Sequence, residues 1–339
     1  MSTAPLPPPD AVQNILLWHQ GALGDLLLAG PALLALRRHY PQARLTALGH
    51  PGRWALLAPT LSLEAVWDSA AAAWAPLFAP DLPLPPLLTA RLAPFQLALI
   101  FSPQPHLGLP ARLTQAGIPA VRWLPSWPGS GREPVGAYQA AHLTRLGVCL
   151  PQEPFHLLVS DAWEKQLPSV LAAANPFLAV APGSGHPKKN WPLAHYYQVT
   201  RSLAWSHGLA VVWLAGPGEE PILPYLRGLA AAQDHLLLAH LPLTAVAAAL
   251  ARCRIYLGGD SGLTHLAAAV GVPGVLALFG PTDPRVWAPQ GHGVRVLRAP
   301  CPQSPCAPAR EITCPAPVCL QDLAPEQVIG ATTTLLPDS

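Results

Sequence analysis

Short apolar runs alternate with longer amphipathic stretches along most of the chain. This alternation of short strands with helical patterns is typical of a parallel, doubly wound α/β sheet. The predicted strands are residues 14–18, 44–48, 65–67, 97–101 and 120–124, followed by 177–181, 209–215, 236–239, 255–257 and 275–279. The predicted helices are residues 25–39, 135–146, 161–174, 193–207, 219–231 and 243–251. Residues 70–94, rich in Ala, Pro and Leu, are expected to form a loosely packed helical excursion.

The chain is long enough for two such domains. Its 339 residues exceed what one small core accommodates. The proline-containing segment 151–154 is the expected boundary, which gives an N-terminal domain of residues 13–155 and a C-terminal domain of residues 156–339. Residues 1–12 are proline-rich and are expected to form a flexible leader. A helix near residues 324–336 is expected to pack back on the N-terminal domain.

The stretch from residue 255 to 287 contains the parts of a ligand-binding unit. A Gly-Gly pair follows a short strand and lets the backbone turn sharply and approach a ligand. Asp260 and Ser261 then precede a helix, and ligands of open α/β sheets bind at strand carboxyl ends, where helix-start amides attract anions. No Asp, Glu, Lys or Arg lies between Asp260 and Asp283. The Gly and Pro residues in this stretch nevertheless predict a buried helix and strand instead of a membrane span.

Composition and charge narrow the class of protein. The chain is 51% hydrophobic and only 11% charged, which excludes a disordered protein, and its 44 prolines indicate many short elements. A formal net charge of +2 does not indicate nucleic-acid binding. The N-terminus lacks a basic region followed by an apolar core, so no signal peptide is predicted. The expected location is the cytoplasm, including the inner face of the cytoplasmic membrane.

Three motifs occur in order along the chain. They are Ile-Leu-Leu at 15–17 followed by Gly-Ala-Leu-Gly-Asp-Leu at 21–26, Ala-Pro-Gly-Ser at 181–184 with Lys-Lys-Asn-Trp-Pro at 188–192, and GGDSGLTHLAAAVGVPGVLALFGPTDP at 258–284. Together they resemble the motifs of glycosyltransferase family nine, the ADP-heptose:lipopolysaccharide heptosyltransferases. The resemblance spans most of the chain.

The resemblance implies an α/β fold of the glycosyltransferase B type, in which two Rossmann-like domains face each other across a cleft. It also implies an inverting transfer of a sugar, heptose from ADP-heptose above all, to a lipopolysaccharide-core-like acceptor. The N-terminal domain would bind this anionic glycolipid and the C-terminal domain the nucleotide-diphosphate sugar. No cofactor is expected, and contact with the inner membrane face would follow from the acceptor.

Asp25 is the candidate general base. It follows the glycine turn that contains Gly21 and Gly24, where a carboxylate can face a cleft. The resemblance assigns this position the removal of the proton from the acceptor hydroxyl. The residues alone leave an ordinary helix cap as an equal alternative.

Lys188 and Lys189 are the candidate cations for the donor diphosphate. They follow a glycine-containing loop after a strand, where loop amides and a point charge can stabilise a departing diphosphate. The resemblance gives this catalytic role to Lys189, and Ser184 would add a hydroxyl donor to the same oxygens. A solvated surface pair is the alternative for any Lys-Lys sequence.

The start of the helix after residue 260 is the other candidate donor site. The amides of Ser261, Gly262 and Leu263 would bind phosphate, and Asp260 is better suited to sugar hydroxyls, since it would repel phosphate. His265 lies one turn further and either reaches the diphosphate or is a satisfied buried histidine.

Glu219 and Glu220 are the candidate ribose ligands. They follow Gly216-Pro217-Gly218, where a carboxylate can bind ribose hydroxyls in a Rossmann-type site. The sequence does not choose between them, and capping of the following helix is the alternative for both.

The sequence does not indicate a catalytic metal, since it contains no Asp-x-Asp motif to hold a divalent ion on the diphosphate. Four cysteines, Cys301, Cys306, Cys314 and Cys319, cluster near the C-terminus. Their spacing leaves three alternatives: a structural metal site, reduced buried thiols or a disulfide. Because the proposed donor contacts lie upstream, this cluster is expected to be peripheral to the chemistry.

Two other function classes fit parts of the pattern. A sugar-nucleotide epimerase of similar architecture would need acid and base groups around the sugar and no acceptor groove. A non-catalytic sugar-nucleotide-binding protein would need neither Asp25 nor Lys189, and the presence of both residues counts against it.

Overall fold

A computed structural model of the chain shows two compact units, Met1–Phe155 and His156–Ser339. The structure describes residues 5–79, 81–105, 108–150, 153–173, 176–306, 312, 314 and 318–336. Both units contain a parallel sheet with helical connections.

The N-terminal unit has a five-stranded sheet in the order β3-β2-β1-β4-β5, and all four pairings are parallel. Its strands are Asn14–His19 (β1), Arg44–Gly49 (β2), Leu63–Asp68 (β3), Leu97–Ser102 (β4) and Ala120–Pro125 (β5). Its helices are Leu23–Leu28 (α1), Gly30–His39 (α2), Pro51–Leu61 (α3), Pro86–Leu92 (α4), Leu109–Gln115 (α5) and Val135–Arg145 (α6).

The central strands of this sheet are buried, as expected of a parallel sheet that is covered on both faces. Leu16 in β1 lies between Thr46 of β2 and Ala98 of β4 and is fully buried. Because β1 is followed by β2 on one side and has β4 on the other, the strand order reverses at the carboxyl end of β1. The turn that carries Asp25 leaves the sheet at this point.

Two predictions for helical segments of the N-terminal unit need correction. The helix predicted for residues 25–39 is two helices, α1 and α2, because Pro31 lacks an amide hydrogen and its ring excludes a continuous helix. The predicted excursion at residues 70–94 is not loosely packed, since Trp74 and Leu92 belong to the hydrophobic core. Arg91 also lies over the ring of Trp67, with 4.0 Å from its guanidinium carbon to the ring centroid.

The predicted leader is also ordered over its described part. Leu6 is buried and donates its backbone N–H to the carbonyl of Leu146 at 3.0 Å. The carbonyl of Pro7 accepts the hydroxyl of Tyr40 at 2.7 Å. These contacts hold residues 5–12 against the N-terminal unit, and residues 1–4 lie outside the described part.

The C-terminal unit has a six-stranded sheet in the order β11-β10-β9-β6-β7-β8, again parallel in every pairing. Its strands are Phe177–Ala181 (β6), Ala210–Ala215 (β7), Leu236–Ala239 (β8), Ile255–Gly259 (β9), Gly274–Leu278 (β10) and Val294–Leu297 (β11). Its helices are Asp161–Glu164 (α7), Leu193–His207 (α8), Leu223–Ala232 (α9), Leu243–Arg252 (α10), Gly262–Ala269 (α11), Pro284–Trp287 (α12), Val318–Gln321 (α13) and Pro325–Thr333 (α14).

Two predicted helices of this unit are shorter than expected. In place of the helix predicted for residues 161–174, residues 161–173 contain α7 and a separate 3-10 turn at Ser169–Ala173, because Pro168 interrupts the helix. Residue 174 lies outside the described part. Residues 217–222 form a 3-10 turn that precedes α9, since Pro221 and Pro224 fall in the predicted helix. The C-terminal helix α14 contributes Val328 to the core of its own unit and packs on α8.

The uncharged stretch between Asp260 and Asp283 forms α11 and β10, as the Gly and Pro positions predict. In the part of the chain that the structure describes, no helix combines the length and the apolar character needed to cross a bilayer.

Candidate active site

The carboxyl ends of β6 and β9 are joined by an ion pair. Lys189 lies in a 3-10 turn after β6, and its Nζ is 2.7 Å from Oδ2 of Asp260, which directly follows β9. The two side chains are 23% and 8% exposed, so the pair is largely shielded from water. In this sheet β6 leads to β7 on one side and lies beside β9 on the other, which makes it the point where strand order reverses. Open α/β sheets bind ligands at such a point.

Asp260 has a second partner that the sequence analysis missed. The hydroxyl of Thr282, 3% exposed, donates to the same Oδ2 at 2.7 Å. Thr282 lies in the loop after β10, the strand next to β9, so the two residues meet at one edge of the sheet. The sequence indicates this contact only by placing a residue with a hydroxyl group, Thr282, in the loop after the neighbouring strand.

The N-terminus of α11 lies beside the same carboxylate. Ser261 is the residue before the helix, and its hydroxyl contacts the hydroxyl of Thr264 at 3.2 Å instead of capping a backbone amide. The first N–H groups of any helix have no intrahelical acceptor. The amides of Gly262 and Leu263 are therefore positioned to bind an anion next to the ammonium of Lys189.

Buried hydroxyls hold the glycine turn before Asp260 in place. Tyr256 in β9 is fully buried, and its hydroxyl contacts that of Thr264 at 3.1 Å. Thr264 in turn donates to the carbonyl of Gly259. Burial raises the pKa of Tyr256, so its hydroxyl stays protonated and can keep donating to Thr264.

Two predicted donor ligands point to protein groups instead. The hydroxyl of Ser184 lies 2.8 Å from the carbonyl of His186 and 2.7 Å from Oδ1 of Asn190, so its proton is used inside its own loop. Lys188 Nζ donates to the carbonyl of Cys314 at 2.6 Å. These contacts give Ser184 and Lys188 the role of holding loops, and a contact of either residue with the donor stays a prediction.

The two candidate ribose ligands lie in different environments. Glu219 is 6% exposed and accepts the backbone N–H of Gly216 at 2.6 Å. A β-carbon at position 183 would overlap its other carboxylate oxygen, so only glycine fits there. Burial raises the pKa of Glu219. Glu220 is 54% exposed, and its Oε1 lies 3.3 Å from Nε2 of His240, at the carboxyl end of β8.

His265 is 7% exposed and lies within α11. Asp260 at the same helix start is equally buried, so this exposure does not separate a satisfied internal histidine from a diphosphate ligand, and both interpretations stay predictions.

In the N-terminal unit the turn after β1 positions Asp25. The backbone N–H of Ala22 donates to Asp25 Oδ2 at 2.9 Å, which is the contact of a helix cap. A β-carbon at Gly21 would lie 2.9 Å from that of Asp25, so the turn requires glycine. Arg53, another residue that the sequence analysis missed, donates to the carbonyl of Gly21 at 2.8 Å. The cap contact and the role of a base are compatible, because a carboxylate has further lone pairs to accept a proton.

The cysteine cluster supports loops at the edge of the site. The backbone N–H of Cys306 donates to the carbonyl of Pro281 at 2.9 Å, and the buried Cys319 lies against Gly280. All six cysteines lie in the described part of the chain, and no disulfide joins them. Burial, and then the neighbouring cysteines, raise the pKa of Cys319 to about 11, so it is a neutral thiol at physiological pH. No group of three or more metal-binding side chains occurs among the described residues.

Replacing the four clustered cysteines by serine is expected to lower thermal stability more than turnover. A buried hydroxyl at Cys319 costs about 1–3 kcal/mol, and each kcal/mol corresponds to roughly 2–4 °C in the melting temperature of a unit of this size. Thermal unfolding and steady-state kinetics of the folded variant check this, with the exposed Cys149→Ser as the control. Lost turnover at an unchanged melting temperature would contradict the peripheral role.

Two units, each with a parallel sheet and helical connections, are the architecture of the glycosyltransferase B-type fold. A glycosyltransferase family 9 structure from Veillonella parvula superposes with a TM-score of 0.79 at 19% identity, covering 98% of this chain and 99% of that one. An Escherichia coli heptosyltransferase solved with ADP-2-deoxy-2-fluoro heptose gives a TM-score of 0.67 at 19% identity, over 93% of this chain and 98% of that one. At these identities the likeness concerns the fold, and it confirms the predicted fold class.

The family assignment rests on sequence. The model of glycosyltransferase family 9 (heptosyltransferase) matches residues 132–318, more than half of the chain. The chain therefore belongs to this family, as its motifs predict. Lipooligosaccharide heptosyltransferase 2 of Haemophilus influenzae is 30% identical over 141 residues, which are 40% of this chain and 40% of that protein. The chain thus matches about two-fifths of the length of this curated relative. Lys189 and Asp260 lie inside the family match, whereas Asp25 lies outside it.

Proposed function

We propose that the protein is an inverting, metal-independent glycosyltransferase that moves heptose from ADP-heptose to a lipopolysaccharide-core-like acceptor. The observation that carries this proposal is the Lys189–Asp260 ion pair beside the N-terminus of α11. Membership of the family and the ADP-heptose analogue bound to the similar E. coli heptosyltransferase support the choice of donor.

The diphosphate of the donor binds to Lys189 and the first amides of α11. An ammonium has three N–H groups, and Asp260 occupies one of them. The others can meet phosphate oxygens, while the amides of Gly262 and Leu263 approach from the helix. Charge that develops on the leaving ADP is then met by donors already in place, which is the most effective form of transition-state stabilisation. A metal is not required for this, and the sequence has no Asp-x-Asp motif to hold one.

Asp260 has a separate part in sugar recognition. Its Oδ2 accepts from Lys189 and Thr282, which leaves Oδ1 to accept a hydroxyl of the heptose. A carboxylate beside the diphosphate would repel it, but the ammonium on the same oxygen offsets that charge.

Glu220 is the better candidate for the ribose hydroxyls. Its carboxylate is exposed and lies at the carboxyl end of the sheet, whereas Glu219 is enclosed by the backbone of Gly183 and Gly216. Glu219 therefore holds these two loops together, and Glu220 stays accessible to the nucleotide.

Glu220→Gln is expected to weaken ADP binding roughly 10-fold or more, because a hydrogen bond to a charged group contributes about 1.5–3 kcal/mol. The melting temperature of Glu220→Gln should equal that of the wild type.

The matched variant Glu219→Gln removes a buried carboxyl group whose pKa is raised in the folded state. Because the carboxyl pKa is higher in the folded than in the unfolded state, the wild type loses free energy of unfolding as pH rises through the folded pKa. Gln does not titrate, so the stability of Glu219→Gln should depend less on pH in this range. Calorimetry with ADP and melting curves from pH 4 to 8 check both variants. If Glu219→Gln weakened ADP binding and Glu220→Gln did not, Glu219 would be the ribose ligand.

In the transfer step, Asp25 of the N-terminal unit accepts the proton of the acceptor hydroxyl. The hydroxyl oxygen forms a bond to the anomeric carbon of the heptose on the face opposite the diphosphate. The bond from this carbon to the phosphate oxygen breaks, and ADP leaves with the electron pair. The configuration at the anomeric carbon is inverted, and the transition state resembles an oxocarbenium ion.

Incubation with ADP-heptose alone, and then with acceptor, tests this proposal against the two other function classes. A transferase releases ADP only when acceptor is present. An epimerase changes the sugar without acceptor, and a binding protein leaves the donor intact in both cases. A binding series of ADP-, GDP- and UDP-sugars identifies the base. The predicted cytoplasmic location and contact with the inner membrane face stay predictions.

A further inference from the structure

We propose that Thr282 is a positioning residue that acts through Asp260 on Lys189, and so fixes where the ammonium meets the donor. The part that concerns the donor rests on the proposed function. Thr282 itself does not touch the donor in this account.

Two donors converge on one carboxylate oxygen. Thr282 Oγ1 and Lys189 Nζ each lie 2.7 Å from Asp260 Oδ2. A lysine side chain has four rotatable bonds, and ordering such a chain in one geometry costs up to about 2 kcal/mol. If the carboxylate of Asp260 could rotate, it would not hold the side chain of Lys189 in one position. The bond from Thr282 stops the carboxylate from rotating, so the ammonium has one defined partner position.

The hydroxyl of Thr282 has its own fixed position. The two residues before it are held in place, since the carbonyl of Gly280 accepts the hydroxyl of Ser304 at 2.8 Å and the carbonyl of Pro281 accepts the N–H of Cys306 at 2.9 Å. The next residue, Asp283, accepts the N–H of Arg285 at 3.0 Å and starts α12. The bond to Asp260 thus starts from a rigid loop on one strand and reaches the end of the neighbouring strand.

The arrangement also shapes the charge of the site. Asp260 is 8% exposed, and removing either of its partners would leave a poorly solvated carboxylate with one fewer donor. Thr282 therefore shares the carboxylate with Lys189 without adding a charge. This leaves the ammonium as the positive group that an incoming diphosphate meets.

ADP binding in a double-mutant cycle tests the coupling. Thr282→Val keeps the shape of the side chain and removes the hydroxyl, whereas Thr282→Ser keeps the hydroxyl. Thr282→Val should weaken ADP binding about tenfold, at the lower end of the loss of a hydrogen bond to a charged group. Thr282→Ser should bind ADP like the wild type. In a Lys189→Ala background Thr282→Val should have no further effect on ADP affinity, since the residue through which it acts is absent.

A purely structural role for Thr282 predicts a different cycle. Thr282→Val would then weaken ADP binding by the same factor in both backgrounds, and this additive result would overturn the proposal. Melting curves of each variant identify any that fails to fold, and Thr282→Ala, which removes the same hydroxyl with a smaller side chain, takes the place of Thr282→Val in that case.

A second measurement does not depend on the donor. The chain has three lysines, so acylation by a small amine-reactive reagent can be followed at each of them by peptide mass spectrometry. The ion pair should make Lys189 slow to react, and Thr282→Val should accelerate it several-fold relative to the exposed Lys165. An unchanged ratio in folded Thr282→Val would overturn the coupling. If the wild type does not bind ADP, the proposed function fails, whereas this ratio still decides the role of Thr282.

Discussion

Asp25→Asn is expected to lower the turnover number by about 10²–10⁴-fold, the range of general base catalysis. The amide has the shape of the carboxylate and can still accept the N–H of Ala22, so the turn after β1 should keep its conformation. It cannot take the proton of the acceptor hydroxyl. Donor affinity should hardly change, since Asp25 acts on the acceptor.

A matched control for this variant is Asp68→Asn. Asp68 ends β3 of the same sheet and its Oδ1 accepts the N–H of Ala70 at 2.9 Å, which is a similar contact between a carboxylate and a turn. The control should keep normal turnover. If Asp25 is only a helix cap, Asp25→Asn should lose about 1 kcal/mol of stability or less and also keep near-normal turnover. Steady-state kinetics, with donor affinity measured by calorimetry, separates these outcomes.

Lys189→Ala is expected to impair both donor binding and turnover. The ammonium meets the diphosphate before and during its departure, so its removal raises the donor dissociation constant and lowers the turnover number. Loss of one preorganised donor to a developing negative charge typically costs about 10²–10³-fold in turnover. The loss of donor affinity should exceed that caused by removing a neutral hydrogen-bond donor, because Asp260 is left buried without its counter-ion.

Lys165→Ala is the control for this variant, since Lys165 is exposed and lies at the end of α7. It should leave ADP affinity and turnover unchanged. If Lys189 were a solvated surface residue, its replacement would behave like that of Lys165. Calorimetric titration with ADP and kinetics at saturating acceptor distinguish the two, and equal behaviour of both variants would contradict the assignment of Lys189.

The strands and the placement of the main motifs could be predicted from the sequence for a physical reason. Buried parallel strands are continuous apolar runs, and the turns that end them need glycine, so β9 and its Gly-Gly ending are visible in the chain itself. The order of strands places the loop after β6, which contains Lys189, next to the end of β9, which Asp260 follows directly. Topology therefore brings the two loops together, and the turn at Pro187–Lys189 brings the ammonium to the carboxylate.

Contacts that depend on side-chain direction could not be predicted in this way. Ser184 and Lys188 stand in the expected loop, but their polar atoms reach a neighbouring side chain and a distant carbonyl instead of open space. Thr282 shows no periodic or spacing signal, because its partner lies on another strand. Helix α3 was also missed, since its three turns contain Pro51 and Pro59 and have no clear boundary in the pattern.

Transfer of heptose from ADP-heptose to an acceptor can be followed directly. The protein is incubated with ADP-heptose and a lipopolysaccharide-core acceptor that lacks heptose, and the acceptor mass and the released ADP are followed together. We expect the acceptor to gain one heptosyl group for each ADP released, and Asp25→Asn to slow both to the same extent. Unchanged acceptor with intact ADP-heptose, in protein that binds ADP and is folded, would contradict this expectation.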